Sequence, residues 1–198
     1  MDRIREFRWP GVLGNTDEVL WAPERQAELE KKAPHLRSLF QMIFESIVPA
    51  TRERLGDKRV AWLRSLPEEW REENLVVVHA APHNLWRAPL KTGTDEEFIS
   101  TYGDLGAATV VYSHIHTSFV RRLSGMTVAN SGSVSLSYDG DSRASYLMLE
   151  DGGVTIRRVE YDIESEVRGL KESSYPQAEW IGEILRQGKY VPLPEPPH

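Results

Sequence analysis

Two continuous apolar runs stand out in the chain, Asn74 to His79 (NLVVVH) and Thr109 to Tyr112 (TVVY), and both read as strands buried on each face of a largely parallel sheet. Between them Thr94, with Glu97 three residues on, forms a capping box for a helix through Tyr102, which predicts a right-handed β-α-β unit. After His116 the pattern alternates. Phe119–Leu123 and Met126–Asn130 predict an antiparallel hairpin across Ser124-Gly125, and Ala144–Leu149 with Val154–Tyr161 predict a second across Asp151-Gly152-Gly153. Helical spacing returns over Ile163–Lys171 and Gln177–Gln187, and the proline-rich tail from about residue 190 to 198 is expected to be extended or disordered.

The first third of the chain reads as helical cover. Asp2–Phe7 looks like a helix end, Pro10-Gly11 breaks it, and Val12-Leu13 is expected as a strand stub that stops at the turn Gly14-Asn15-Thr16-Asp17. Pro23–Lys32 is charged and helical, and Leu36, Leu39, Phe40, Ile43, Ile47 and Val48 recur at helical spacing, which predicts one amphipathic helix or two segments bent near Pro49. Asp57 is placed to cap a further helix through Leu66 that buries Val60, Trp62 or Leu63.

Composition narrows the classes. At 198 residues and 22.6 kDa the chain suits one α/β domain spanning 1–198. A net charge of −6 argues against a nucleic-acid binder, which would carry a basic face. The charged start MDRIREFRWPG and the lack of any long apolar run argue against a signal peptide or membrane span, so the expected compartment is the cytoplasm. Without cysteine, any metal must be held by nitrogen and oxygen donors.

The chemistry gathers at the ends of apolar segments: Asn15 after Val12-Leu13, His79 after LVVV, and His114 with His116 after TVVY. Period-two spacing in a strand would aim His114 and His116 the same way, and neutral imidazoles suit manganese, iron, nickel or zinc. Taken singly each feature has an ordinary explanation, since most histidines are surface or satisfied core residues and Gly-Asn is a common turn. The loop His83, Asn84, Trp86, Arg87 forms an expected rim, in which His83 and Arg87 are the substrate-binding candidates. Trp86 either stacks on a leaving group or packs the loop down.

Taken together, the order G-N-x-D, apolar-H-A-x-P, apolar-x-H-x-H and N-x-G-S resembles the calcineurin-like metallophosphoesterases, in particular their small bacterial and archaeal phosphodiesterase branch, over about Gly11 to Asp162. The resemblance implies a β-sandwich flanked by helices in four αββα layers, and two divalent ions ~3.5 to 4 Å apart activating a bridging water. It implies that Asn15, His79 and His114 hold the second ion, that His116 reaches the first, and that Asp17 orients the asparagine turn, making Asn15, Asp17 and His79 the catalytic set. Thr16 stands where many members have an acid histidine, Ala80 replaces a glycine, and Ser131 replaces a proline.

The family's opening D-x-H and G-D motifs do not precede Gly14, and D-x-H occurs nowhere in the chain. The N-terminal strands are therefore expected to be missing, with impaired metal binding and with exposed strand edges that favour homo-oligomers. The leading expectation is a phosphoesterase acting on diesters; the alternative is a non-catalytic scaffold, a role the retromer subunit of that fold fills.

Overall fold

The computed structural model describes residues 1–150 and 152–193. Its centre is a five-stranded mixed sheet of β1 (Glu69–Glu72), β2 (Leu75–Val78), β3 (Thr109–Tyr112), β4 (Phe119–Leu123) and β5 (Met126–Asn130), in the order β1-β2-β3-β5-β4. β2, β3 and β5 run parallel, while β1 and β4 close the two edges antiparallel. Val76, Val110 and Val128 lie side by side across the parallel strands and are no more than 1% exposed, which is why these two runs carry no polar face.

Helix α6 (Asp95–Tyr102) crosses from β2 to β3, and Thr94 Oγ1 accepts the Glu97 N–H at 3.3 Å to cap it. It buries Phe98 and Tyr102 completely, in an aromatic cluster with Tyr112 and Phe119. The two buried phenols donate to the backbone, Tyr102 to Ala80 at 2.8 Å and Tyr112 to Pro89 at 2.7 Å. Both ends of the loop after β2 are thereby pinned to the core.

The second hairpin forms a two-stranded ribbon, β6 (Ala144–Glu150) with β7 (Gly153–Val159), which packs beside β4; Asp151 of its expected turn lies outside the described residues. Helices α7 (Ile163–Glu172) and α8 (Ala178–Gln187) pack on each other, and Asp162 caps the first. The start of the tail packs against the rest of the fold. Trp180 Nε1 donates to Val191 at 2.8 Å and Tyr190 meets Tyr138 edge-on; residues 194–198 of the tail expected to be extended or disordered lie outside the described residues.

The N-terminal cover consists of α1 (Asp2–Glu6), α2 (Asn15–Glu18), α3 (Arg25–Lys32), α4 (Arg37–Met42) and α5 (Val48–Arg64). Several expectations are corrected here. Val12-Leu13 is not a strand: Leu13 N–H bonds to the Pro67 carbonyl at 2.8 Å, and the neighbouring edge of β2 is already taken by β1. Pro49 lies in the first turn of α5, directly after a turn of π-helix at Ile43–Ile47.

α5 breaks at Gly56, with φ 68° and ψ 162°, and Asp57 beside it leaves its carboxylate 98% exposed, facing Arg52 instead of capping. Nor are β2 and β3 left with bare edges, since each is paired on both sides. Among the described residues no helix is long and apolar enough to cross a membrane.

Candidate metal centre

The three strand-tip histidines reach the site by different routes. His79 follows β2 directly, and the Ser113 N–H bonds to its carbonyl at 3.0 Å, carrying the β2–β3 ladder one step past the strands. The chain then leaves the sheet. His114 and His116 both take the left-handed conformation, with φ 57° and 53°, so turn geometry orients their rings, not strand alternation as the spacing suggested.

Asn130, fully buried, shapes this turn from below by donating to the Ser113 carbonyl and accepting the Gly132 N–H at 2.9 Å. This is the physical role of the N-S-G-S motif. Gly132 has φ 71°, and a Cβ there would lie 2.9 Å from Ser145.

Asn15 is the first residue of α2 and meets His79 across the site, its Oδ1 lying 2.7 Å from His79 Nε2. The same Nε2 lies 3.2 Å from His114 Nδ1. Gly14 makes the approach possible through space, because its extended backbone would accept any residue, whereas a Cβ would lie 3.1 Å from His79 Nδ1 and 3.3 Å from Asp17 Oδ2. Asp17 accepts the Gly14 N–H at 3.0 Å and so braces this turn. Burial raises its carboxyl's proton affinity, and the Gly14 bond partly offsets that.

Burial also lowers the proton affinity of all three imidazoles. His79 is pushed down to about 4, first by burial and then by the nearby His114 and His116. His114 is lowered by burial and by His116, against a backbone hydrogen bond with Trp86. His116 is lowered by burial, against its bond to the Leu136 carbonyl. At neutral pH each ring therefore keeps a lone pair, the form that binds a cation.

These donors fit one ion. Two ring nitrogens bonded at ~2.1 Å to a tetrahedral cation stand about 3.4 Å apart, close to the His79–His114 separation of 3.2 Å. They do not by themselves fit two. Among the described residues no three His, Asp or Glu side chains gather so as to hold an ion, and the carboxylate of Asp17 is engaged at Gly14. His116 has its Nδ1 on the Leu136 carbonyl at 2.6 Å and its ring stacked on Tyr138, at 4.9 Å and 22°.

His83 and Arg87 are exposed and line a separate cavity of about 250 Å³ with Arg25, Lys32 and Trp86, in which Asn15, His79 and His114 take no part. Trp86 packs: its Nε1 donates to Glu18 at 2.7 Å and its ring lies on the Val19, Leu29, Phe40, Phe44 cluster. Sequence reasoning passed over Leu136, Tyr138, Asp139 and Arg158, which surround His116 or the loop that holds it. The only signal for the first three was their place just after N-S-G-S, and Arg158, on β7, carried none.

The architecture is that of a known class. The chain has the calcineurin-like metallophosphoesterase fold: it superposes on a metallophosphoesterase from Sphaerobacter thermophilus with a TM-score of 0.63 at 23% identity, covering 71% of this chain and 67% of that one. It also superposes on the hypothetical protein PH1004 from Pyrococcus horikoshii, with a TM-score of 0.69 at 16% identity over 92% of this chain and 74% of that one. In sequence it is 28% identical over 162 residues to the uncharacterized protein MJ0912 of Methanocaldococcus jannaschii, covering 70% of this chain and 63% of that protein. The chain thus spans less than two thirds of the length of this curated relative. No family model matches it.

Proposed function

We propose that the chain is a metal-dependent phosphoesterase domain of the dinuclear type, with a preference for phosphodiesters, and that on its own it supplies one side of the metal centre. The observation that carries this is the meeting of three neutral donors at His79 Nε2, which lies 2.7 Å from Asn15 Oδ1 and 3.2 Å from His114 Nδ1. Manganese, iron, nickel or zinc are the ions such a set favours. A bound divalent ion would polarise a phosphoryl oxygen and lower the pKa of its water.

The chain's own part is to hold the donors in place. Gly14 admits the His79 ring, and Asp17 braces the turn that carries Asn15. Thr16, exposed beside Asn15, carries a hydroxyl far too weakly acidic to protonate a leaving group at neutral pH, so departure of the leaving group goes without acid assistance from that position. Arg87, in the separate cavity beside Trp86, is the candidate for forking onto phosphate oxygens of a substrate that reaches beyond the metal site, and the cytoplasm remains the compartment we assign.

Metal content by mass spectrometry and hydrolysis of aryl phosphodiesters and monoesters test the reading, on this chain and on one extended upstream to carry D-x-H and G-D. One weakly bound ion and negligible turnover are expected for the chain as it stands, with two ions and diester hydrolysis in the extended form. His79→Ala should remove the single ion. Two tight ions with robust turnover in the short chain would overturn the account. The lack of a carboxylate cluster among the described residues also favours a second reading, a non-catalytic scaffold. A folded extended chain that binds metal but hydrolyses neither ester class would establish that instead.

A further inference from the structure

His116 is held almost entirely by one short segment, residues 136–138. Its Nδ1 donates to the Leu136 carbonyl at 2.6 Å, its own carbonyl accepts the Tyr138 N–H at 2.9 Å, and its ring lies flat on that of Tyr138. A carbonyl only accepts, so Nδ1 carries the proton and the neutral ring presents Nε2 as its free lone pair.

The segment is in turn clamped at Asp139. Asp139 Oδ2 accepts from the Ser118 N–H at 3.1 Å, from Ser118 Oγ at 2.9 Å, and from the Arg158 guanidinium. Arg158 Nη2 also donates to Ser118 Oγ at 2.5 Å. The side chains of Asp139 and Arg158 are 9% and 15% exposed, so this is a largely buried pair and not a surface bridge. Ser118 lies two residues beyond His116, and Arg158 stands on β7. One carboxylate therefore ties together the stretch following Tyr138, the stretch following His116, and the ribbon.

Buried pairs of this kind add little net stability, because desolvation offsets their attraction, but they hold one geometry firmly. That suits a role in placement.

We propose that Asp139 and Arg158 are positioning residues for His116: they fix the loop whose Leu136 carbonyl selects the tautomer, so that Nε2 is the nitrogen offered to the site. The functional meaning rests on the phosphoesterase reading, whereas the tautomer itself does not. The test is a long-range ¹H–¹⁵N spectrum of metal-free protein labelled at histidine.

In the wild type His116 should be a single Nδ1–H species. In Asp139→Asn, and in the double variant Asp139→Asn/Arg158→Gln that leaves no orphan charge, the ratio of Nδ1–H to Nε2–H should fall about tenfold, the worth of one hydrogen bond. The signals of His79 and His114 should stay put. Arg158→Lys, which keeps the charge, should retain most of the wild-type ratio.

An unchanged His116 tautomer in either folded Asp139 variant would overturn the proposal, as would equal disturbance of all three histidines. Should Asp139→Asn fail to fold, the double variant decides. A shifted tautomer with unaltered metal content in the upstream-extended chain, where His116 would reach the other ion, would sink the use of His116 as a ligand while leaving its positioning intact.

Discussion

His79 sits beside two other imidazoles, and its proton affinity is lowered from 6.5 to about 4, by burial first and then by His114 and His116. The unfolded chain takes up this proton near 6.5 and the folded chain only near 4, so across that window the unfolded state binds more protons and stability falls as pH falls. The gap corresponds to about 3 kcal/mol at 1.36 kcal/mol per unit, a substantial part of a typical domain's stability. His114 and His116 shift in the same direction and deepen the loss. Asp17, whose affinity is raised, acts in the opposite sense where carboxylates titrate.

Urea unfolding followed by tryptophan fluorescence, in chelator at fixed ionic strength and at steps between about pH 4 and 7.5, measures the effect against His79→Gln. The variant's stability should be flatter than the wild type's by about 3 kcal/mol over the window. Parallel curves for the two proteins would refute the claim that burial keeps His79 neutral.

Truncating Phe98 to alanine removes a ring with no exposure that meets Phe119 edge-on and carries the Arg121 guanidinium 4.6 Å from its centre, and should cost about 3–5 kcal/mol in urea midpoint analysis. Gly132→Ala combines φ 71° with a Cβ 2.9 Å from Ser145; a loss of about 1–3 kcal/mol is expected, read as a lower melting temperature, and an unchanged one would count against the close packing. Gly14→Ala should weaken cation binding about tenfold, seen by calorimetry, while leaving the urea midpoint nearly unmoved because the backbone there is unstrained.

The apolar runs of β2 and β3 announced themselves, as did the Thr94 cap, because a strand buried on both faces and a capped amphipathic helix leave strong local patterns. β1 did not. EWRE has no apolar run, and it is a strand only because it caps the open edge of β2. The same vacancy, once filled, left Val12-Leu13 without a partner and kept it out of the sheet.

Within the site, the order of Asn15, His79 and His114 along the chain suggested their meeting, and the structure brings them together. The direction of the rings was not legible, because a left-handed histidine leaves no periodic trace. Nor was the Asp139–Arg158 clamp: two charges 19 residues apart read as surface until the fold buries them against Ser118.

The left-handed backbone at His114 and His116 bears on how such a chain can change over generations. Glycine, or asparagine at less strain, would sit at either position more comfortably, since a bulkier residue in that region costs on the order of 1 kcal/mol or more. Random substitution should thus find replacements here that make the backbone easier, unlike most positions in the core. Selection for robustness alone would erase both imidazoles early. A lineage that still carries the pair holds a conformation its own folding disfavours, and ancestral or laboratory-evolved versions freed from any metal-dependent task should lose these histidines before they lose Phe98 or Val110.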